Sequence, residues 1–491
     1  MPNLPQALQS LSHMQPSAVW KHFDEIRKIP RPSTREEKMR AYIVAFAKKL
    51  ALTYGEDKAG NVVVRKPGSK GKENAPATVL QCHMDMVCEK DAVVAHNFEK
   101  DVIQVTQRED YLYAMGTTLG ADNGVGMAVA LALLENKELV HGPLECLFTT
   151  DEETGLNGAR GLTNEFLKGR RMINMDSEED GAIYIGCAGG GGSNLTLPLE
   201  WQATPAGSAY IKLQVRGLNG GHSGIDINLG RGNAVELLVR LLDTLGRSFP
   251  LCLNTMNGGD KHNAIPREAY ALVAVAEKDS DKFCAEAKRL LQGIRDEYGK
   301  IEAGLEVVTD KVAKFDKVFT AACQTKMLLM IRALPHGMIA MNPDIVGLVN
   351  TSTNLAKVVC NDKECLVHNS TRSSIKEALE AGRMKVEAVG KLAGAKIEHN
   401  EAYPGWKPNV SSPLLQTVKA VYSKLYGKEP EVKAIHAGLE CGIIGEKMQG
   451  MDMISIGPQI EHPHSPQERV QISSVAKFWN VITTVLAKLA E

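Results

Sequence analysis

Two histidines and a group of carboxylates stand at or just past the ends of apolar, strand-like runs. A single His or Asp would indicate little, but this group offers two imidazoles, three aspartates that are not adjacent to one another, and a glutamate pair. A pair of Zn²⁺-like ions needs such nitrogen and oxygen ligands, with positions left open for water and substrate. The sequence therefore predicts a hydrolytic two-metal centre. The candidate residues are His83, Asp85, Asp122, Glu152, Glu153, Asp176 and His464.

The first three candidates each have an alternative structural interpretation. His83 and Asp85 lie two residues apart after a strand, so Asp85 can accept a hydrogen bond from the ring nitrogen that faces away from a metal. For this pair alone, a surface histidine beside an acid would be favoured. Asp122 directly precedes an apolar helix, where aspartate often caps the first turn. Capping alone explains Asp122 equally well.

The remaining candidates are similarly ambiguous one by one. Glu152 and Glu153 follow a strand, and neighbouring side chains diverge there, which favours one metal ligand and one unligated general base. Acids enriched in a first helical turn are the alternative. Asp176 could begin a solvated acidic run, and His464 could be a loop histidine in a proline-rich turn. The joint occurrence of all these residues favours the metal centre.

The elements that must position these residues alternate between helical and strand patterns. Helices are expected over residues 20–29 and 36–52, the second with two possible capping boxes, Ser33 with Glu36 and Thr34 with Glu37. A buried helix is expected over residues 125–134. This order predicts an α/β layer architecture. The expected strands cover residues 61–65, 78–82, 145–149 and 171–174.

Four consecutive glycines, Gly189 to Gly192, interrupt this pattern and introduce a second domain. Beyond about residue 403 the α/β style returns, with helices over residues 414–425 and 474–489 and a strand over residues 453–456. If His464 belongs with the other ligands, the second domain must be an insertion. We therefore expect a discontinuous catalytic domain of residues 1–187 and 401–491, with residues 188–400 inserted. The inserted strands are expected over residues 211–215, 269–276 and 365–368, and its helices over residues 234–245, 282–298 and 375–392.

Composition limits the class of protein. A length of 491 residues favours two domains, and 57 Lys+Arg against 58 Asp+Glu leave no basic field for nucleic acid or a membrane surface. Residues 1–15 carry neither the basic nor the apolar region of a signal peptide, and the longest apolar stretch is about half of the ~18 residues that a membrane span needs. Ten scattered cysteines without a Cys-x-x-Cys pair are expected to be reduced thiols. We predict a cytoplasmic protein.

The joint motifs resemble the M20 metallopeptidases, and within that family the aminoacyl-histidine dipeptidase branch. The resemblance extends over nearly the whole chain. The motifs that carry it lie at residues 81–86 (QCHMDM), 116–124 (GTTLGADNG), 150–153 (TDEE), 174–179 (NMDSEE), 220–224 (GGHSG), 263–266 (NAIP), 436–442 (HAGLECG) and 463–466 (PHSP).

The resemblance implies a fold and a set of ligands. The fold would be α/β, with a zinc-exopeptidase-like three-layer α/β/α catalytic domain and a large inserted α+β lid or dimerisation domain. Two Zn²⁺ ions would be held, with Mn²⁺ or Co²⁺ also accepted by such ligands. A cis peptide is implied between Asp122 and Asn123. One ion would be held by His83, Asp122 and Asp176, and the other by Asp122, Glu153 and His464.

The resemblance also implies a reaction. Glu152 would act as general base toward a water activated between the ions, with Asp85 supporting His83, and His222 would stabilise the developing oxyanion, often from a neighbouring subunit. Asn263 and Arg372 would bind the substrate carboxylate, and Gly438 and Glu440 its amino end. A homodimer is expected, although a lid of about twice the usual size could complete the site within one chain.

These features predict a dipeptidase that hydrolyses unblocked dipeptides, especially those ending in histidine and including β-alanyl-histidine. A tripeptidase, a carboxypeptidase or an N-acyl amino acid deacylase of the same family is an alternative. A metal-binding scaffold without turnover is the non-enzymatic alternative. The partner would be a small dipeptide, without nucleic acid or membrane.

Overall fold

The computed structural model describes residues 7–491, and the chain divides into two compact units. Unit 1 comprises the residues up to Cys187 together with Trp406–Ala434 and Leu439–Glu491, and unit 2 comprises Ala188–Gly405 and Ile435–Gly438. Unit 2 therefore differs from the predicted insertion by the additional residues 401–405 and 435–438. Residues 1–6 lie outside the described residues. They belong to the predicted catalytic domain and to residues 1–15, which were expected to lack a signal peptide.

The first segment of unit 1 alternates helices and strands, as the apolar periodicities predict. The two expected capping boxes do not form: the second helix begins at Glu37 without a side-chain cap. The elements are α1 Ser17–Ile26, α2 Glu37–Lys49, β1 Thr53–Glu56, β2 Val62–Lys66, β3 Thr78–His83, β4 Val105–Arg108, β5 Tyr111–Ala114, α3 Ala121–Glu135, β6 Leu144–Thr149, α4 Asn157–Gly161, β7 Arg171–Asn174 and β8 Ala182–Cys187.

Unit 2 begins with a strand that contains the four glycines. The expectation that these glycines interrupt the strand pattern was wrong. The strands are β9 Gly189–Pro198, β10 Trp201–Ala203, β11 Ser208–Arg216, β12 Gly221–His222, β13 Leu251–Gly258, β14 Ala264–Ile265, β15 Ala269–Ala276, β16 Glu306–Lys311, β17 Lys317–Phe319, β18 Gly337–Met341, β19 Val349–Cys360, β20 Glu364–Ser373 and β21 Lys396–His399. The helices are α5 Ala234–Gly246, α6 Ser280–Tyr298 (preceded by a 3-10 turn, Glu277–Asp279), α7 Ala321–Ala333 and α8 Lys376–Ala393.

The remaining segment returns to unit 1, except for the few residues around Ile435. Its helices and strands match the predicted helix–strand–helix order, with additional short elements. They are α9 Pro413–Tyr426, β22 Glu431–Ile435, α10 Glu440–Lys447, β23 Asp452–Ser455, β24 Ile460–Glu461, β25 Arg469–Gln471 and α11 Ile472–Leu489.

The main sheet of unit 1 has eight strands in the order β1-β2-β6-β3-β7-β23-β8-β22. Its centre is parallel: β3 pairs with β6 and β7, and β23 pairs with β7. Every residue of β3 and β6 is buried, which requires cover on both faces, since successive side chains point to opposite sides. Helix α3 packs on β3 and α9 packs on β23. Unit 1 is therefore a layered α/β fold, as predicted.

Unit 2 is built on a nine-stranded, mainly antiparallel sheet with β16-β11-β15-β13-β19-β20-β9-β21 in order and β18 attached to β19. Helix α5 packs on β11, β13, β15 and β19, while α8 packs on β9 and β20. Strand β11 alternates buried and partly exposed residues along most of its length, which is the pattern of a sheet covered by helices on one face. One apolar cluster between sheet and helices forms the core of this unit.

Candidate active site

Three parallel strands of unit 1 deliver polar side chains to the same edge of the sheet. His83 ends β3, Glu152 and Glu153 follow β6, and Asp176 follows β7. Because the carboxyl ends of parallel strands meet at one edge, these side chains converge. Asp122 arrives from the first turn of α3, and His464 from the loop between β24 and β25. Asp122 thus does not follow a strand end as the sequence pattern indicated.

The predicted ligands form one tight cluster. His83 Nε2 lies 3.0 Å from Asp122 Oδ1 and 3.2 Å from Asp176 Oδ1. His464 Nε2 lies 3.1 Å from Asp122 Oδ2 and 3.1 Å from Glu153 Oε1. The two carboxylate oxygens of Asp122 therefore each face a different histidine. This is the arrangement expected of a bridging carboxylate between two cations.

The donor chemistry of the cluster fits a divalent cation. His83 Nδ1 faces Asp85 Oδ1 at 3.2 Å, and Asp85 is held as an acceptor by two backbone N–H groups. The Nδ1 proton therefore points to Asp85, and the lone pair on Nε2 faces carboxylate oxygens, which repel it unless a cation intervenes. Glu153 Oε1 is buried and makes no hydrogen bond. Nitrogen and oxygen donors of this kind suit zinc.

The pKa values show the same crowding of charge. Burial alone lowers the pKa of His83, but the surrounding carboxylates of Asp176, Asp122 and Asp85 raise it well above its usual range. The carboxylates of Asp122 and Glu153, both close to the ring of His464, raise the pKa of His464 to about 11. Burial raises the pKa of Asp176 and of Glu153. Bound cations would favour the ionised acids and the neutral imidazoles.

Asp85 has a buried carboxylate and organises its neighbours. In addition to the ring of His83, it accepts the Glu152 and Glu153 backbone N–H groups at 3.1 Å and the Ser33 hydroxyl at 2.8 Å. Although burial opposes it, the hydrogen bond from His83 lowers the pKa of Asp85 to about 2. Ser33 is thus engaged with Asp85 instead of capping α2. Asp85 orients one predicted ligand and fixes the backbone of the glutamate pair.

A second acidic group, Glu36 with Asp85 and Asp151, also has the spacing of a metal site. Its carboxylates are already satisfied by the protein. Glu36 Oε1 accepts the backbone N–H groups of Thr34 and Asp151. Asp151 accepts the Thr154 hydroxyl at 2.6 Å and the Asn157 amide at 2.7 Å. These acids therefore serve as backbone and loop anchors.

The Glu152 carboxylate stands apart from the ligand cluster. Among the described residues, no side chain donates a hydrogen bond to it, while its backbone is fixed by Asp85. Burial raises its pKa well above the usual range, and nearby Asp176 and Glu153 add to this effect. A carboxyl group with a raised pKa, close to the ligands but not among them, is suited to accept and return a proton.

Two buried charged residues that the sequence did not single out hold the loop that carries Asp122. Glu468 accepts the backbone N–H groups of residues 119–122, at 2.7, 2.9, 2.8 and 3.2 Å in chain order. Arg31 donates to the carbonyl oxygens of Met84, Asp85 and Gly120. The Asp122–Asn123 peptide is cis, as the resemblance implied. The only signal for Glu468 in the sequence is its position four residues after His464.

We expect Glu468→Gln to loosen this loop. The amide keeps one acceptor oxygen and turns an N–H₂ group toward backbone donors, and hydrogen bonds to charged groups contribute about 1.5–3 kcal/mol each. The free energy of unfolding should fall by at least about 2 kcal/mol, and metal affinity should fall with it. Chemical denaturation and metal titration measure both. Glu461→Gln, which alters a partly exposed acid bonded to Tyr111 and Arg469, is the matched control and should change little. Equal stability of the two variants would contradict the assigned role.

The two carboxylate oxygens of Glu440 differ in their surroundings. Glu440 is fully buried at the start of α10 and accepts hydrogen bonds from Gln81 Nε2 at 2.6 Å and Thr149 Oγ1 at 2.7 Å. Burial raises its pKa to about 8. Both of these bonds go to Oε2, whereas Oε1 is buried without a hydrogen-bond partner among the described residues. The predicted contact with a substrate amine therefore stays a prediction.

The remaining predicted residues belong to unit 2. His222 lies on β12, and its Nδ1 accepts the backbone N–H groups of Gly224 at 3.2 Å and Ile225 at 3.1 Å. Its Nε2 therefore carries the proton and is available as a donor. Burial, with a contribution from nearby Arg372, lowers the pKa of His222 to about 4, so the ring is neutral near neutral pH.

Arg372 on β20 is a buried cationic residue of unit 2. It is only 7% exposed, and its Nη1 donates to the Tyr403 hydroxyl at 3.1 Å. Its Nε is buried and has no hydrogen-bond partner within the described chain. A buried guanidinium with an unsatisfied N–H group is costly unless a ligand supplies an acceptor. The structure thus gives Arg372 the character of an anion-binding residue.

Asn263 and Gly438 complete the predicted set. The carbonyl of Asn263 accepts the backbone N–H of Ser223 in the pairing of β12 with β14, and its side-chain amide makes no hydrogen bond within the described chain. Gly438 packs against the ring of Tyr403, since a Cβ there would approach the ring to 3.0 Å. Gly438 therefore supports the residue that bonds to Arg372.

The fold and the polar cluster define a hydrolase of the layered α/β type. The model of peptidase family M20/M25/M40 matches residues 79–488, and the chain belongs to this family. It is therefore a peptidase. The cytosol non-specific dipeptidase of Escherichia coli is 42% identical over 482 residues, which cover 98% of this chain and 99% of that protein.

Solved structures of related proteins support the same family and fold. The aminoacylhistidine dipeptidase from Vibrio alginolyticus superimposes with a TM-score of 0.90 at 40% identity, covering 98% of both chains. Aminopeptidase PepT from Bacillus cereus has a TM-score of 0.57 at 15% identity, covering 97% of this chain and 100% of that one, and shares the fold. These matches confirm the predicted family and fold class.

Two further expectations concern the chain as a whole. Within residues 7–491, no helix is both long and apolar enough to cross a membrane. All ten cysteines are free thiols, as expected from their scattered positions.

Proposed function

We propose that this protein is a metal-dependent dipeptidase, in which unit 1 is the catalytic domain and unit 2 is the lid. The observation that carries the proposal is the cluster in which Asp122 faces His83 through one oxygen and His464 through the other, at 3.0 and 3.1 Å. The full-length similarity to two dipeptidases supports the substrate class.

Five side chains would hold two divalent ions, with zinc as the proposed metal and manganese or cobalt as alternatives. Bound ions would polarise the scissile carbonyl group and acidify the attacking water. His83, Asp122 and Asp176 form one ligand set, and Asp122, Glu153 and His464 form the other.

Glu152 is proposed to take a proton from the attacking water and to return it to the leaving amine. Its raised pKa and its freedom from other partners support both steps. His222 is proposed to donate its Nε2 proton as a hydrogen bond to the developing oxyanion, since its Nδ1 is committed to backbone donors.

Recognition of a free carboxylate is assigned to Arg372, with Asn263 as a second donor. The buried guanidinium of Arg372, whose Nε has no hydrogen-bond partner, supports this role, because a substrate carboxylate would supply the missing acceptor. Gly438 and Glu440 are proposed for the amino end of the substrate, and an enzyme that binds both ends would favour dipeptides. We propose Xaa-His dipeptides, including β-alanyl-histidine, as preferred substrates, cytoplasmic action and a homodimeric assembly.

The substrate class is tested with a panel of free, N-acylated and C-terminally amidated di- and tripeptides, before and after chelation. Turnover of free dipeptides that is lost on chelation and restored by Zn²⁺ is expected. Turnover restricted to N-acylated substrates would favour the deacylase alternative. Preference for tripeptides would favour a tripeptidase. Retention of metal without any turnover would favour a scaffold.

We expect Arg372→Met to raise KM for dipeptides with a free carboxylate. Loss of hydrogen bonds to a charged group predicts a fall in kcat/KM of about 10- to 150-fold. Turnover of the corresponding dipeptide amide should change far less. Arg216→Met, at a surface pair with Glu306, is the control. Equal losses for the acid and the amide would contradict carboxylate recognition.

A further inference from the structure

The glycine run of β9 borders a cavity that the proposed chemistry has not used. Gly190 pairs in register with Arg372 of β20, and Gly192 pairs with Ser370. Since side chains alternate along a strand, residues 368, 370 and 372 project on the face where residues 190 and 192 contribute no side chain. A cavity of about 340 Å³ lies above this bare floor, bordered also by His262.

Arg372 lines this cavity and fixes how a substrate would enter it. If its guanidinium holds the substrate carboxylate, the side chain of the C-terminal residue starts from the carbon next to that carboxylate and must lie beside Arg372. The glycine-floored cavity is the space available there. We propose that it is the specificity pocket for the side chain of the C-terminal residue. This inference rests on the proposed dipeptidase function.

The polar groups of the pocket indicate the class of side chain. His368 Nδ1 lies 2.7 Å from Asn194 Oδ1, and the Asn194 amide is oriented by donating to Asn400 at 3.0 Å. The His368 Nδ1 therefore carries the proton, and Nε2 is an acceptor. A Cβ on Gly192 would lie 3.4 Å from this Nε2, so the acceptor faces the pocket floor.

The charged residues of the cavity further limit the class of side chain that it would bind. Arg372 and Glu401 both line the cavity, so the lining carries one charge of each sign and favours neither a cationic nor an anionic side chain. Burial, together with Arg372, lowers the pKa of His262, so this ring adds no positive charge near neutral pH. The pocket thus suits a neutral side chain with an N–H or O–H donor. The imidazole of a C-terminal histidine satisfies both conditions.

The proposed pocket is tested by placing a side chain at Gly192, on the glycine-lined side of the cavity. In Gly192→Val the new side chain enters the cavity, since a Cβ there already comes within 2.8 Å of His368 Cε1 and 3.0 Å of Asn400 Nδ2. We expect kcat/KM for alanyl-histidine to fall at least about tenfold relative to alanyl-glycine, whose C-terminal residue needs no pocket. Gly191→Ala is the matched control on the same strand, because its Cβ would face Arg383 and Ala402 instead.

Removing the acceptor gives a second test. His368→Phe keeps a ring but loses Nε2, and we expect it to lower kcat/KM for alanyl-histidine about tenfold while alanyl-leucine is unaffected or improved. If Gly192→Val does not fold, Gly192→Ala with the same substrate pair replaces it, with a smaller selective loss expected. Equal effects on both substrates of each pair would overturn the pocket. Failure of the unaltered enzyme to cleave any of these free dipeptides would instead overturn the dipeptidase function.

Discussion

Glu152→Gln is expected to lower kcat by about 10²- to 10⁴-fold, the usual contribution of a general acid–base residue. The amide has the same shape but cannot accept the proton of the attacking water. The carboxylate also lies outside the ligand cluster, so metal content should stay unchanged. Steady-state kinetics on a free dipeptide and elemental analysis of the same sample measure both quantities. A KM that changes little would show that binding survives.

The matched control is Glu179→Gln, which alters an acid engaged with the Tyr184 hydroxyl and with Lys433. Its kcat should match that of the unaltered protein. An unchanged kcat in Glu152→Gln would exclude the assigned proton transfer. Loss of metal together with activity would instead place Glu152 among the ligands.

Asp122→Asn should have the largest effect on metal binding. Its two oxygens face different histidines, so one substitution weakens both ligand sets at once. Losing a residue that only supports a ligand typically costs 10- to 100-fold in affinity, and removing the shared ligand should cost more than about 100-fold. Metal titration should show weaker binding at both positions, and dipeptide turnover should fall below detection.

Asp180→Asn is the control for this experiment, because Asp180 pairs with Lys477 away from the ligands. Its metal stoichiometry should be unaltered. If Asp122→Asn weakened only one of two bound ions, the bridging assignment would be wrong while the remaining ligands could still stand.

Much of this site is predictable from sequence because strand ends can be recognised from apolar runs. His83, Glu153 and Asp176 follow β3, β6 and β7, and parallel pairing brings such ends together. Asp122 and His464 were candidates by residue type, but only the family motifs assigned them to ligand sets, since neither a helix start nor a proline-rich loop indicates convergence. Placing Asp122 behind a strand was wrong, because it opens α3.

Other features depend on contacts between distant parts of the chain. Glu468 and Arg31 bond to backbone groups, which leave no pattern in the residues they hold. Glu440 bonds to Gln81 and Thr149, which lie far away in the sequence, so its motif gives no sign of these contacts. The glycine run looked like a break, yet it forms a strand because β20 pairs along its whole length.

The hold of Glu468 on residues 119–122 has a consequence for biosynthesis. During synthesis, the main sheet of unit 1 is complete only once β23 has been made. His464 and Glu468, which supply the second imidazole and the anchoring carboxylate, are synthesised after β23. Until then, four amide groups around Asp122 lack their acceptor, and a growing polypeptide cannot yet capture ions in native geometry. Proteolytic removal of the residues from His462 onward should therefore yield a metal-free product even though all eight strands of the main sheet are present.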